Sequence, residues 1–337
     1  MTRASLYWLG PPMHHAIRVH RPGGPEEMRF ERVARPVPGP RQALVRHGAI
    51  GVNFIDVYHR SGVYKLPELP FGLGTEAAGV VEAVGAEVSE VHVGQRVAYV
   101  HSVPGAYAEM AVVDAARLVA LPDDISNEAA ASLLLKGMTV EFLIRRTYPL
   151  RAGQTVLWHA AAGGVGTIAL QWLRALGVEV IATVGSEEKA RLAQQHGATH
   201  TIIYARENFA ERVRELTSGR GVPVVYDSVG KDTFQGSLES LSPRGLMVSF
   251  GNASGKPDPV DPQLLALKGS LYLTRPTLFS YIASRAELED SATALFSVVR
   301  AGVVKLSVGG RWPLAEAAAA HRTFEARQTT GSLLLIP

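Results

Sequence analysis

Residues 160–166 read AAAGGVG, and what stands on either side of them decides the fold. Residues 155–160 (TVLWHA) have the texture of a buried strand, and residues 167–176 (TIALQWLRAL) that of an apolar helix closed by Gly177. Residues 179–184 (EVIATV) read as a second strand. Strand, loop, helix and strand thus fit within about thirty residues, as a dinucleotide-binding Rossmann unit requires. Aligned to G-x-G-x-x-G, the three glycine positions fall on Ala161, Gly163 and Gly166, so the first is an alanine. Gly163 lets the backbone approach a pyrophosphate, Gly166 lets helix pack on strand, and the helix start offers N–H groups and partial positive charge to phosphate. An isolated loop of this kind also occurs as a plain tight turn. Between a strand and a helix it reads as a cradle made of Ala162, Gly163, Gly164, Val165 and Gly166.

Working outward, the texture changes once and changes back. Residues from about 15 to 135 are rich in Gly, Pro and short Val/Ala runs and read as many short strands. Strands and helices then alternate: helix 187–196, strand 201–203, helix 209–217, strand 222–226, helix 233–241, and strands 246–250 and 270–274. That alternation predicts an α/β doubly wound parallel sheet. A further helix, 286–300, precedes a tail that returns to strand-like sequence around a short helix, 314–327. The expected division is an N-terminal extension, 1–12; a β-rich domain, 13–138 with 277–337; and a nucleotide domain, 139–276. A nucleotide domain inserted late in a β-rich one predicts a ligand cleft between the two.

With 337 residues the chain suits two domains, and its apolar runs fall far short of the ~20 residues that span a bilayer. Residues 1–12 lack a basic start and a long apolar stretch, so a signal peptide is not expected, and the expected location is cytoplasmic. The absence of cysteine excludes disulfides and thiolate ligands. The net charge of +3 comes from scattered arginines; no basic stripe or RNP-like aromatic strand points to nucleic acid.

Several further segments carry a resemblance: NFIDVYHRSGVY (53–64), GLGTEAAGVVEAVG (72–85), LLKGMTV (134–140), VVYDSVG (224–230), GLMVSFGNASG (245–255) and GSLYLTRP (269–276). With AAAGGVG they make the chain, from Met13 onward, resemble the zinc-independent, zeta-crystallin-like quinone oxidoreductases of the medium-chain dehydrogenase/reductase superfamily. The resemblance implies a GroES-like catalytic domain beside the Rossmann domain, NADPH as electron donor and a quinone as acceptor. It also implies a homodimer in which the last Rossmann strand pairs across a twofold axis.

Where zinc-using relatives place a metal-binding cysteine this chain has Asn53, and where they have Gly-His-Glu it has Gly74, Thr75 and Glu76. Catalytic zinc takes three protein ligands and an open position, so no metal site is expected; His14 and His15 fall on opposite sides of a probable strand. A quinone is electron-poor already, and hydrogen-bond donors in a dry site suffice to stabilise its reduced oxygens. The resemblance assigns Asn53, Tyr58 and Tyr64 to that site, against the alternative that both tyrosines only pack. Asp56, three residues after Asn53, is read as orienting its neighbours rather than as a base.

Cofactor choice has its own signal. NAD enzymes place an acid on the ribose 2′-hydroxyl about 20 residues past the glycine loop, and here that position is Ser186. Ser186 reads as the N-cap of the next helix, with Glu187 and Glu188 in its first turn facing solvent. Lys189 lies one turn on and Tyr204 ends the neighbouring strand, so a hydroxyl, an ammonium and a phenol would converge on a 2′-phosphate. The expected cofactor is NADPH. The resemblance places Thr139 near the nicotinamide, against the alternative that it only satisfies its own helix backbone, and Ser228, Phe250, Gly251 and Asn252 lie at carboxyl ends of strands, where ligands gather. Asp227 reads as a cap and His159 as a satisfied interior histidine. The main alternative function is reduction of activated C=C bonds in enones or enals, and a more distant one a non-catalytic crystallin-like or RNA-binding role.

Overall fold

A computed structural model of the chain describes residues 12–64, 68–326 and 330–337. The expected extension, residues 1–12, lies outside the described residues except for Pro12. The chain divides into two compact units: Met1–Leu134 with Val308–Pro337, and Leu135–Ser307.

In the second unit, strands rich in Val, Ile and Leu form one parallel sheet of six, because a strand covered by helices on both faces must be apolar throughout. The spatial order is His200–Ile203, Glu179–Val184, Thr155–Trp158, Val222–Asp227, Leu241–Ser249 and Tyr272–Thr274. This is the doubly wound order, with its reversal between Thr155–Trp158 and Val222–Asp227. Leu157, Ile181, Val225 and Met247 from the sheet meet Val213, Phe234 and Leu238 from the helices in one buried core.

Two expectations are corrected here. The helix after the glycine loop is Gly164–Ala175, with Gly163 as its N-cap, rather than starting at Thr167. Residues 277–307 belong to this unit and not to the β-rich one. The reason is packing: a Cβ on Gly137 would meet Leu295 Cδ1 at 2.4 Å, so helix Arg285–Arg300 seats against a glycine of helix Asn127–Phe142. Ser291 on the same helix hydrogen-bonds Glu141 at 2.7 Å.

The first unit is built on a seven-stranded sheet in which the long strand Gln42–Val52 is flanked by Glu76–Val84 and by Ser332–Ile336, both antiparallel to it. A three-stranded sheet of Met28–Ala34, Met13–Val19 and Phe71–Gly72 completes it. Its core draws on residues from Ile17 to Leu335, the ends of the described chain.

Candidate functional site

The glycine loop of the second unit leaves the end of Thr155–Trp158 by a left-handed turn at Ala160, where φ is 51°. That conformation costs a residue with a Cβ roughly 1–2 kcal/mol, so its neighbours must hold it. Gly163 N–H donates to Ala160 O at 2.9 Å and closes the turn. A Cβ on Gly166 would lie 2.4 Å from Ala161 O and 2.7 Å from Ala160 O, so only glycine lets the helix approach the loop this closely. Gly163 caps with no side chain, and helix geometry leaves Gly164, Val165 and Gly166 without intrahelical acceptors for their N–H groups. Three such donors at the positive end of a twelve-residue helix suit a pyrophosphate. Ala162, buried, completes the loop.

At the end of Glu179–Val184, Ser186 follows Gly185 directly, the Tyr204 hydroxyl lies over Gly185, and Lys189 stands in the first turn of helix Glu187–His196. Ser186 Oγ accepts from Lys189 N–H at 3.3 Å as the N-cap of Glu187–His196, which leaves its own proton to donate. A Cβ on Gly185 would stand 2.8 Å from the Tyr204 hydroxyl, so the phenol lies over bare backbone there while the residue stays 45% exposed. Glu187, in the first turn of Glu187–His196, pairs with Arg206 at 2.6 Å on the surface. Arg206, two residues past Tyr204, is a partner for Glu187 that the motif reading overlooked because it lies in an irregular turn.

Across the reversal point, the loops after Val222–Asp227 and Leu241–Ser249 interlock. A Cβ on Gly251 would strike Ser228 O at 2.4 Å, Ala253 N–H donates to Ser228 O at 3.1 Å, and Asn252 Cα lies 3.2 Å from a Cβ on Gly230. Phe250 donates its N–H to Asp227 O at 2.8 Å and sets its ring against Trp158. Ser228, Phe250, Gly251 and Asn252 are therefore one cluster. Asp227 is buried and accepts from Val229 N–H, Gly230 N–H, Thr233 Oγ1 and Ser237 Oγ at 2.7–3.0 Å, so it organises the turn, as expected. Thr139 donates its hydroxyl to Leu135 O at 2.7 Å within its own helix, and only its lone pairs remain for a ligand N–H.

In the first unit Asn53 ends Gln42–Val52 and starts helix Phe54–Ser61. Its N–H donates to Asp56 Oδ2 at 2.9 Å, and its side-chain Nδ2 donates to Glu76 Oε2 at 2.8 Å. Tyr58 and Tyr64 meet edge to face, with centroids 5.3 Å apart and Tyr64 N–H bonded to Tyr58 O at 3.0 Å. Both are half-buried. Asn53 is instead drawn inward to Glu76, so the rings form one pair and the amide belongs to a network below them.

That network was not legible as a motif. Asp56 also accepts from Thr75 Oγ1 at 3.0 Å and from the Tyr107 hydroxyl at 3.1 Å. Tyr107 meets His321 Nε2 at 2.9 Å; Arg60 meets His321 Nδ1 at 2.9 Å and grips Glu325 with two bonds of 2.7 and 2.9 Å. Burial pushes Asp56 up to about 7, with Glu76 adding to the rise against the pull of its hydrogen-bond donors. Burial lowers His321 to about 3, with Arg60 contributing. Asn53 and Thr75, at the positions where zinc-using relatives place ligands, direct an amide N–H and a hydroxyl to carboxylates. Among the described residues no three His, Asp or Glu side chains stand together as a metal-holding group.

Residues 39–123 match the model of the alcohol dehydrogenase GroES-like domain and residues 164–295 that of the zinc-binding dehydrogenases. A quinone oxidoreductase of Pseudomonas aeruginosa is 55% identical over 94% of this chain and 97% of its own length. A 2-haloacrylate reductase from a Burkholderia species is 46% identical over 96% of this chain and 98% of its own. The crystal structure of Escherichia coli quinone oxidoreductase complexed with NADPH superposes with a TM-score of 0.94 at 47% identity, covering 96% of this chain and all of that one. With both domain models matched and relatives of this identity spanning nearly its whole length, the chain belongs to the quinone oxidoreductases of the medium-chain dehydrogenase/reductase superfamily.

Proposed function

We propose that this protein is an NADPH:quinone oxidoreductase that works without a metal ion. The observation that carries the cofactor half of this reading is the strand end at Gly185: no acid stands there, Glu187 is held at the surface by Arg206, and the Tyr204 hydroxyl lies over the bare backbone beside Ser186, where Lys189 from the next helix turn would add an ammonium for a 2′-phosphate. The loop 162–166 takes the pyrophosphate on N–H groups, Ser228, Phe250, Gly251 and Asn252 line the cofactor's path beyond it, and Thr139 accepts a nicotinamide amide N–H. NADPH, when bound, supplies a hydride from C4 of its nicotinamide to the acceptor. Tyr58 and Tyr64 present phenols to an acceptor oxygen as it gains charge, and Asn53, with one side-chain N–H committed to Glu76, has a second to offer. A quinone suits such a site, since neutral donors meet the modest charge its oxygens develop.

The full-length NADPH-bound relative supports this reading, and the absence of thiolate ligands supports the metal-free part. Steady-state kinetics with NADPH and NADH test the cofactor, with a NADPH preference expected. Lys189→Ala should raise the KM for NADPH about tenfold and leave that for NADH nearly unchanged. Turnover that survives exhaustive chelation is expected; its loss overturns the metal-free mechanism.

A second reading, reduction of an activated C=C bond, is favoured by the relative named for 2-haloacrylate. A panel of quinones, enones and 2-haloacrylates under NADPH separates the two. The edge strand Tyr272–Thr274, with Tyr272 63% exposed, supports a homodimer joined along that edge, which sedimentation tests. No helix among the described residues is long and apolar enough to cross a membrane; the location we propose is the cytoplasm, and nucleic-acid binding is not part of the reading.

A further inference from the structure

His159 stands immediately before the strained turn of the glycine loop and is fully buried. Its N–H donates to Tyr226 O at 3.0 Å, and across Ala160 the N–H of Ala161 donates to Thr183 O at 3.2 Å. The left-handed residue is therefore pinned on one side to Val222–Asp227 and on the other to Glu179–Val184. The imidazole repeats this span. Nδ1 lies 2.7 Å from Thr183 Oγ1 and Nε2 lies 2.9 Å from Ser237 Oγ, while Phe209 packs edge-on at 4.9 Å.

Proton bookkeeping settles the direction of each bond. Ser237 Oγ donates to the carboxylate Asp227 Oδ2 at 2.8 Å, and a carboxylate only accepts. Ser237 Oγ must then accept from His159 Nε2–H, which leaves Nδ1 to accept from Thr183 Oγ1–H. The ring is held as one tautomer, and burial lowers its pKa and keeps it neutral. Asp227 Oδ1 continues the chain into Val229 N–H and Gly230 N–H, on the turn that carries Ser228. One hydrogen-bonded path thus runs from Thr183 to Gly230 beneath both loops that face the dinucleotide.

We propose that His159 is a positioning residue for cofactor binding: its doubly bonded imidazole holds Ala160 in the left-handed turn that aims the N–H groups of Gly164 to Gly166 at the pyrophosphate. The proposal rests on the reading that NADPH occupies this loop. A general base is not the role, because both ring nitrogens are spent on Thr183 and Ser237.

Titration of NADPH into the full-length wild type, His159→Gln, His159→Leu and the double variant His159→Leu with Ala160→Gly tests it, alongside kinetics and thermal unfolding. His159→Leu should weaken NADPH binding about tenfold and raise its KM in step while kcat changes less than about twofold. His159→Gln, whose amide can still donate to Ser237 and accept from Thr183, should retain most of the affinity. Adding Ala160→Gly to His159→Leu should recover affinity, because glycine adopts the left-handed turn without support. Thr183→Val, which removes one of the ring's two bonds, should weaken binding about threefold and serves if the leucine variant does not fold. A lowered melting temperature with unchanged NADPH affinity in the variants, or no recovery with glycine, overturns the proposal. Failure of the wild type to take up NADPH overturns the cofactor reading, and this inference with it.

Discussion

Asp227 in the second unit and Asp56 in the first are both removed from solvent, and their surroundings differ in kind. Asp227 has four donors for its two oxygens, two of them backbone N–H groups fixed by the turn that it organises. Asp56 has three, from Asn53, Thr75 and Tyr107, and a second buried carboxylate, Glu76, close enough to raise its pKa. The first arrangement is a scaffold element held by local geometry. The second assembles charge from distant parts of the chain and carries a group that titrates near neutral pH. A buried carboxylate is thus no single kind of object: Asp227 is fixed by the turn around it, whereas Asp56 shares its burial with a second acid.

The most damaging substitution is Asp227→Ala, which strands two backbone N–H groups and two hydroxyls; urea unfolding should show a loss of about 3–5 kcal/mol. The pH dependence of stability comes next. Because the folded-state pKa of Asp56 stands at about 7, above its ordinary value of 3.8, its favourable contribution is complete at low pH and is lost as pH rises from about 4 to about 7. His321 and His47, the latter buried on strand Gln42–Val52 with its ring bonded to Ala108 O and the Tyr99 hydroxyl, run the other way: burial holds them at about 3 and about 4, so their contribution is complete above 6.5 and is lost as pH falls below it. Asp56→Asn should therefore lose less stability than wild type between pH 5 and pH 8, a difference of a few kcal/mol, and leave the acid limb intact; chemical denaturation across that range reads both limbs. A smaller effect sharpens the contrast. Tyr107→Phe deletes one donor to Asp56, costs about 1 kcal/mol, and should move the alkaline limb upward, since a carboxylate with fewer donors holds its proton longer.

The same contrast explains what could be read in advance. Strand Glu179–Val184, helix Glu187–His196 and the cap at Ser186 fall where the pattern placed them, because a parallel strand and an amphipathic helix each carry a period and Ser followed by two Glu carries a helix start. The helix at Gly164 was read three residues late: two glycines and a valine have poor helix propensity, and here the close approach of Gly166 to Ala161 O overrides it. The resemblance placed Tyr58 and Tyr64 in a site, and they do meet; the network that continues from Asp56 could not be read, because Tyr107 meets His321 across 214 positions and Arg60 meets Glu325 across 265. No local period encodes such partners. The placement of 277–307 failed for a related reason: the glycine that receives helix Arg285–Arg300 lies far upstream, at Gly137.

Ser332–Ile336 lies inside the seven-stranded sheet, hydrogen-bonded to Gln42–Val52 on one side and Val308–Pro313 on the other. A ribosome makes that interior piece only after the whole of Leu135–Ser307, so the amino-terminal half of its own unit must wait with an open sheet edge while the nucleotide-binding unit already has its whole sequence. Deleting residues 332–336 would therefore remove an inner plank rather than trim a loose end.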